Sequence, residues 1–363
     1  MIIIKIKETT VNSLNLYNKE NSTNNKIVVT NSQQSNSYML PKYGGYFKVY
    51  ERELTSPITI TVGPGGQFFT LNEAFREAMK YDPSNIALAY DKPNQARSLI
   101  TILLKTGFVM RESLYLTNGF NYGYIKIKTE TYITCHRQTL KEDITNIPVI
   151  GFLGYRAFFY GSYDVTYPIL EGDFRVDTSG GTSDSGNNSN HVSLIEMRYG
   201  AKVTLATGSK FEGGFYVVYI NENSVVKGQQ CTYKGHSYTQ QVIRLHSGEI
   251  DCSRSIIELG TDLDSSIGTP NHKACLWMTE GGRFRSVGIT FKNSPKAIVS
   301  NVPILLEGTT FENITGDYAI GGAGRIGKGL IINASSNISK IGNAQLTDHG
   351  VNQFIPGKGL MIQ

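Results

Sequence analysis

Residues 210–260 read KFEGGFYVVYINENSVVKGQQCTYKGHSYTQQVIRLHSGEIDCSRSIIELG, and in this stretch a large apolar residue returns about every 21 residues. The recurrence continues further along the chain, with anchors at Phe211, Tyr233, Ile257, Phe291, Phe311 and Ile332. A period of this length is typical of a solenoid, in its simplest form a parallel β-helix, in which every repeat adds a strand to the stack.

Charges of alternating sign follow the anchors directly. They are Glu212, Lys234, Glu258, Lys292 and Glu312, after which comes Asn333. Because neighbouring strands lie about 4.8 Å apart, opposite charges in successive repeats can pair.

A second column lies seven residues before the anchors and contains Thr204, Val226, Ile250, Phe284, Ile304 and Arg325. The positions after its middle members alternate in sign again, as Lys227, Asp251 and Arg285. Both columns predict stacked parallel strands.

The composition suits an all-β chain. Of the 363 residues, 40% are hydrophobic, 18% are charged and 38 are glycines. Glycine, asparagine and serine favour the turns that a coil with several corners needs. The net charge of +5 is spread thinly without a run of Lys or Arg, so we expect no nucleic-acid partner.

The four cysteines show no metal-ligand spacing. They are Cys135, Cys231, Cys252 and Cys275. We therefore predict that they are small buried hydrophobic residues, and we expect neither a metal site nor a cofactor.

The amino-terminal sequence MIIIKIKETT has a short apolar run without a small-residue cleavage site, so we expect no signal peptide. No stretch approaches 18 apolar residues, so we expect no membrane insertion. Residues 1–55 contain two short strand-like runs and an Asn-rich segment. We interpret them as a small module or an extended arm that docks on another protein, with an unstructured tail as the alternative.

Residues 58–81 read ITITVGPGGQFFTLNEAFREAMKY and predict a strand, a Gly-rich turn and one amphipathic helix. Thr70 is the expected N-cap and Glu73 completes a capping box. The helix would present the apolar face Leu71, Ala74, Phe75 and Ala78. A solenoid needs a cap over the open end of its core, and such a helix can provide it. The turn fits neither of the Gly-rich phosphate-binding spacings.

Two segments suggest a family. GPGGQFFTLNEAF (63–75) followed by ITILLKTGFVMRESLYLTNGFNYGYIKI (100–127) resembles the start of the pectin-lyase-like, right-handed parallel β-helix in bacteriophage tailspike and tail-fibre proteins. The resemblance covers residues 58–130, and the later repeats match only in their period. In that family a short helix caps the first coil.

The resemblance implies a fold and a role. It divides the chain into an N-terminal arm or virion-attachment module (1–55), a capping strand and helix (56–97), the parallel β-helix (98–340) and a C-terminal cap (341–363). It implies a homotrimer, made in the host cytoplasm and located in the virion, that attaches to other tail or baseplate proteins through residues 1–55. The expected ligand is a bacterial surface polysaccharide. Two alternatives are a polysaccharide depolymerase of the same fold, either a hydrolase or a lyase, and a structural virion protein without a ligand.

Acidic residues are the candidates for depolymerase chemistry, because glycoside hydrolysis needs two carboxyl groups about 5 to 9.5 Å apart. Glu212 and Glu258 have lysine neighbours in their column, which favours a structural role. The remaining catalytic candidates are Glu196, Asp262 and Asp264. His246 and Asp251 could form a base and its orienting acid, but we expect His246 to be an ordinary surface histidine.

Aromatic residues are the candidates for sugar binding. Residues 151–170 are rich in Phe and Tyr, and the only tryptophan, Trp277, lies at the end of a predicted insertion at 260–277. A second irregular segment spans 177–191, and insertions of this kind in solenoids often carry recognition. The glycan-binding candidates are Tyr155, Tyr160, Tyr163 and Trp277, with packing in the core or between subunits as the alternative for each.

Overall fold

The computed structural model describes residues 51–83, 99–117, 119–136, 156–177, 192–260, 273–279, 281–285, 287–300 and 308–315, together with the backbone of short strands outside these ranges. Most of the predicted N-terminal arm and C-terminal cap lies outside the described residues. So do Tyr155, Asp262 and Asp264.

The described part of the chain contains one helix, α1 (Leu71–Met79), and a long series of short strands. The first of them are β1 (Ile4–Lys5), β2 (Leu14–Leu16), β3 (Asn25–Ile27), β4 (Ser37–Leu40), β5 (Gly45–Tyr50), β6 (Arg52–Glu53), β7 (Ile58–Val62), β8 (Tyr81–Asp82), β9 (Ile100–Leu104), β10 (Val109–Met110), β11 (Leu114–Leu116), β12 (Ile125–Cys135), β13 (Arg156–Gly161), β14 (Ile169–Val176), β15 (Val192–Met197) and β16 (Lys202–Thr204). The remainder are β17 (Lys210–Glu212), β18 (Tyr216–Ile220), β19 (Ser224–Lys227), β20 (Thr232–Lys234), β21 (Gln241–Leu245), β22 (Gly248–Asp251), β23 (Ile256–Glu258), β24 (Ala274–Met278), β25 (Arg283–Arg285), β26 (Thr290–Ser294), β27 (Ile298–Ser300), β28 (Leu305–Leu306), β29 (Thr310–Ile314), β30 (Ile320–Gly321), β31 (Ile331–Ile332), β32 (Asn352–Ile355) and β33 (Gly359–Ile362).

Three parallel sheets dominate the architecture. Sheet A has the order β7-β9-β12-β14-β17-β20-β23-β26-β29, with β10 also paired to β12. Sheet B has the order β11-β13-β15-β18-β21-β24-β27-β30, and sheet C the order β16-β19-β22-β25. From β16 to β27 the chain visits sheets C, A and B in turn, so each repeat adds one strand to each sheet. The prediction of an all-β chain of stacked parallel strands is confirmed.

The anchors form one core column of sheet A. Phe174, Phe211, Tyr233, Ile257, Phe291 and Phe311 are paired in register from strand to strand and are fully buried. Phe174 and Phe211 stack at 5.5 Å between ring centroids. Ile332 was predicted to continue this column, but that prediction is wrong, because Ile332 pairs with Leu306 in a separate small sheet.

The charge ladder is also present. Lys234 Nζ lies 3.3 Å from Glu212 Oε1, and Lys292 Nζ lies 3.5 Å from Glu258 Oε2.

In sheet C the predicted column is correct for Val226, Ile250 and Phe284. It is wrong for Thr204, which pairs with Lys227 and leaves Val203 beside Val226. The segment from sheet C to sheet A is one residue longer in the first repeat, because Val203 precedes Phe211 by eight residues and Val226 precedes Tyr233 by seven. A shift of one residue exchanges the inner and outer faces of a strand.

The predicted strand and capping helix are confirmed at the N-terminal end of sheet A. Thr70 Oγ1 accepts a hydrogen bond from Glu73 N, and Glu73 Oε2 accepts one from Thr70 N, as a capping box requires. The buried face of α1 joins the core, and the Phe75 ring meets the Tyr122 ring at 5.1 Å. Among the described residues, no helix is both long and apolar enough to cross a membrane.

All four cysteines are buried and none forms a disulfide, as predicted. Burial raises the pKa of Cys231 to about 11 and that of Cys275 to about 12. A thiol with so high a pKa carries almost no thiolate at neutral pH, so it behaves as a small hydrophobic residue.

Candidate functional site

Sheet B carries a row of large polar and aromatic side chains on its outer face, which we call the outer row. Its members are paired in register on six successive strands: Tyr115, Tyr160, Glu196, Tyr219, Arg244 and Trp277. Their chain neighbours, such as Leu114 and Leu116, point into the core. Since strands are spaced about 4.8 Å apart, five steps make the outer row about 24 Å long.

Three residues predicted from the sequence meet in this row. Tyr160, Glu196 and Trp277 come from distant parts of the chain and occupy one column of the sheet. Trp277 was placed at the end of an inserted segment, and this placement is corrected by the structure, which puts it within β24. Tyr160 and Trp277 are 8% and 6% exposed, so their rings offer little open face.

Glu196 is the most deeply buried charge of the outer row, with 1% of its surface exposed. Arg198 Nε donates to its Oε1 at 2.6 Å, and the Arg198 guanidinium lies 4.9 Å from the centre of the Tyr219 ring. Burial raises the pKa of Glu196, although Arg198 opposes the shift. Oε2 forms no hydrogen bond of normal geometry within the described part of the chain. The carboxyl group is therefore held in a buried ion pair and has no open path to a polymeric substrate in this structure.

A second network links the far end of the row. Arg244 Nη2 lies 3.0 Å from His246 Nε2, and His246 Nδ1 lies 2.8 Å from Thr279 Oγ1. A guanidinium group can only donate hydrogen bonds, so His246 Nε2 accepts and the imidazole is neutral with its proton on Nδ1. The Arg244 guanidinium also lies 5.3 Å from the Trp277 ring centre. His246 and Asp251 are not brought together, because Asp251 lies on sheet C and accepts hydrogen bonds from Gln229 and Ser253.

The open part of the site is a pair of tyrosines at the turns that follow β13 and β15. Tyr163 and Tyr199 stack at 5.0 Å with an interplanar angle of 9°. They are 52% and 43% exposed, in contrast to the outer row itself. Both have positive φ angles, 52° and 50°, which bulky residues seldom adopt.

Backbone contacts between repeats hold these turns. Asp164 N donates to Tyr199 O at 2.8 Å, which ties the first turn to the second. A Cβ atom on Gly200 would lie 2.1 Å from Asp164 Oδ1, and φ is +79° at this glycine. Only glycine leaves room for the Asp164 carboxylate there. The two aromatic rings are therefore positioned by the stacked backbone beneath them.

Sequence reasoning missed Tyr115, Tyr199, Tyr219 and Arg244. Tyr115, Tyr219 and Arg244 become visible only when the strands of sheet B are aligned, because they share a column and not a local motif. Tyr199 follows Glu196 by three residues, as Tyr163 follows Tyr160, and this equal spacing is the signal that could have identified the pair.

Three long connections between described strands share one topology. They link β12 to β13, β14 to β15 and β23 to β24, and each leaves sheet A and enters sheet B. The predicted irregular segments 177–191 and 260–277 fall here. Their interiors lie outside the described residues, while the end of the second is the buried strand β24.

No group of three or more His, Cys, Asp or Glu side chains in the described ranges could hold a metal ion. Comparisons with protein-family models, with curated proteins and with solved structures find no match to this chain.

Proposed function

We propose that this chain is a right-handed parallel β-helix of the bacteriophage tailspike and tail-fibre kind, and that it binds a bacterial surface polysaccharide. Three parallel sheets that each gain one strand per repeat support the architecture. The resemblance of residues 58–130 supports the phage assignment. The observation that carries the binding function is the exposed Tyr163–Tyr199 pair.

The tyrosine pair suits a sugar ligand. An exposed aromatic face can pack against the apolar face of a sugar ring, while the phenolic hydroxyl groups remain available for hydrogen bonds. The two rings are pre-positioned by their turns, so little side-chain entropy is lost on binding. The adjacent outer row runs for about 24 Å beside the pair, but its aromatic rings are buried, so the exposed contact with the ligand comes from the two tyrosines.

Assembly and location belong to the same proposal. The protein forms a homotrimer through the flanks of its sheets and attaches to other tail or baseplate proteins through residues 1–55. It is made in the host cytoplasm and resides in the virion. Analytical ultracentrifugation of the full chain tests the trimer, and a monomer at all concentrations contradicts it.

Substitution of the tyrosine pair tests the binding site. Fluorescently labelled full-length protein is incubated with host cells and with purified capsule and lipopolysaccharide. We expect Tyr163→Ala and Tyr199→Ala to weaken binding by about tenfold each, since loss of one aromatic contact is worth about 0.5 to 1.5 kcal/mol beyond the area lost. Tyr163→Phe and Tyr199→Phe, which keep the rings, serve as controls. Unchanged binding by both alanine variants would refute the site, and absence of binding by the wild type would refute the function.

A depolymerase of the same fold is the second candidate, favoured by the burial that raises the pKa of Glu196. A general acid needs a raised pKa of this kind. The activity requires Glu196 to become accessible when polymer binds. Polymer length and new reducing or unsaturated ends are followed with wild type and Glu196→Gln. Shortening by the wild type but not by the variant supports the enzyme, and intact polymer with both excludes it.

A further inference from the structure

Sheet A has an irregularity that exposes a single aromatic side chain. In β12 the pairing with β14 shifts between Lys128 and Tyr132, so that three residues of β12 stand opposite Gly172 alone. Such β-bulges redirect side chains and are over-represented near functional sites. Here the bulge brings Tyr132 to the outer face of sheet A, where the residue is 53% exposed.

Thr129 and Gly172 determine the shape of this bulge. The buried Thr129 Oγ1 accepts a hydrogen bond from Asp173 N at 2.9 Å and donates one to Thr131 O at 2.7 Å. Gly172 has a φ of +125°, and a Cβ atom there would lie 2.0 Å from Thr129 Oγ1. The hydroxyl of Thr129 therefore occupies the space that a side chain at position 172 would need.

The Tyr132 ring packs against a cation. The Arg175 guanidinium lies 4.5 Å from the ring centre, and Asp173 holds this guanidinium with two hydrogen bonds of 2.9 and 2.7 Å. One face of the ring is thus backed by a fixed cation, and with 53% of the residue exposed the ring remains accessible from solvent.

A fixed acceptor lies in the same bulge as Tyr132. Glu130 is part of the bulge, and its Oε2 accepts hydrogen bonds from Thr106 N and Thr106 Oγ1, both at 2.9 Å. These hydrogen bonds lower the pKa of Glu130 and keep it ionised at neutral pH. Its remaining lone pairs can accept hydrogen bonds from hydroxyl groups.

We propose that the Tyr132 face is a second sugar-binding subsite, which stacks on one pyranose ring and accepts hydrogen bonds from its hydroxyl groups through Glu130. It lies on sheet A and shares no residue with the outer row or the Tyr163–Tyr199 pair. The proposal takes its ligand class from the proposed polysaccharide-binding function, but its site and its test are separate.

Fluorine NMR on full-length protein labelled with 3-fluorotyrosine tests the subsite. The Tyr132 resonance is assigned as the signal absent from Tyr132→Phe. Short oligosaccharides of glucose, galactose, mannose and N-acetylglucosamine are added as probes. We expect a saturable shift of this resonance with at least one of them. We expect the affinity to fall about two- to fivefold in Arg175→Gln, which removes the cation behind the ring.

A matched variant separates this proposal from the main one. Tyr132→Ala should lower the affinity for polysaccharide. Because the ring is exposed, the melting temperature of this variant should equal that of the wild type. The shift of Tyr132 should persist in Tyr163→Ala. An unshifted Tyr132 resonance with all probes, combined with wild-type polysaccharide affinity in Tyr132→Ala, would overturn the subsite and leave the main binding function intact. A shifted resonance without polysaccharide binding would instead overturn the main function.

Discussion

At the scale of single residues, the contact between Gly228 and Tyr233 shows how tightly the core is specified. Tyr233 is fully buried, and its hydroxyl donates to Gly228 O at 2.9 Å. A Cβ atom on Gly228 would lie 1.9 Å from the same hydroxyl oxygen. The buried Tyr233 phenol therefore fits only because position 228 has no side chain. Its hydroxyl group has a hydrogen-bond partner in the Gly228 carbonyl group.

This contact predicts a coupled pair of substitutions. We expect Gly228→Ala to lower the free energy of unfolding by about 1 to 3 kcal/mol, because overpacking forces Tyr233 from its position. Tyr233→Phe removes the clashing oxygen, so the double variant should be more stable than the sum of the single effects implies. Urea denaturation of the four proteins measures this coupling, and strict additivity would show that the clash is relieved in some other way.

A second residue-scale prediction concerns acid stability. Burial acts to raise the pKa of Asp251, but hydrogen bonds from Gln229 and Ser253 and the charge of Arg285 hold it below the ordinary value. A carboxyl group with a lowered folded-state pKa stabilises the fold above its unfolded-state pKa and loses that effect as the pH falls. We expect Asp251→Asn to flatten the loss of thermal stability below about pH 4. If the thermal stability of the variant falls with pH as steeply as that of the wild type, the lowered pKa of Asp251 does not contribute to acid stability.

At the scale of elements, the ladder on sheet A keeps strands in register through alternating charge. Lys234 is paired in register with Glu212 on one side and Glu258 on the other. Lys234→Glu would place three carboxylates in a row. We expect a loss of about 1 kcal/mol, because like charges directly opposite each other destabilise a strand pair.

Lys234→Gln is the control for this ladder, since it removes the charge without inverting it and should cost less. The penalty of Lys234→Glu should also shrink in high salt, because screening weakens interactions between partly exposed charges. Thermal melts at low and high ionic strength make the comparison. A penalty that is equal for both variants and insensitive to salt would mean that the ladder contributes packing and not electrostatics.

At the scale of the whole molecule, short sequence patterns correctly predicted those elements that neighbouring residues determine. The capping box at Thr70 and Glu73 and the strand Ile58–Val62 are correct because neighbouring residues determine them. The anchors from Phe211 to Phe311 are correct because a buried column tolerates only apolar residues. Thr204 is misplaced because the spacing within a repeat varies and a fixed spacing carries an error of one residue to the wrong face. Ile332 is misplaced because its strand pairs in a separate sheet.

The candidate site was less accessible to prediction for the same reason. Tyr160, Glu196 and Trp277 were chosen separately for their chemistry, and only the register of sheet B places them in one row. The Tyr163–Tyr199 stack depends on two turns with positive φ in successive repeats, and no pattern within one repeat predicts it. In a stacked fold, the register between repeats decides which side chains lie together in a site.

The most direct test of polysaccharide binding is size-exclusion chromatography of the full chain mixed with capsule and lipopolysaccharide from candidate hosts. Polymer length is followed over time in the same samples. We predict that the protein elutes with one of the polymers, and that Tyr163→Ala combined with Tyr199→Ala abolishes this co-elution. Protein that elutes alone with every polymer would contradict the account.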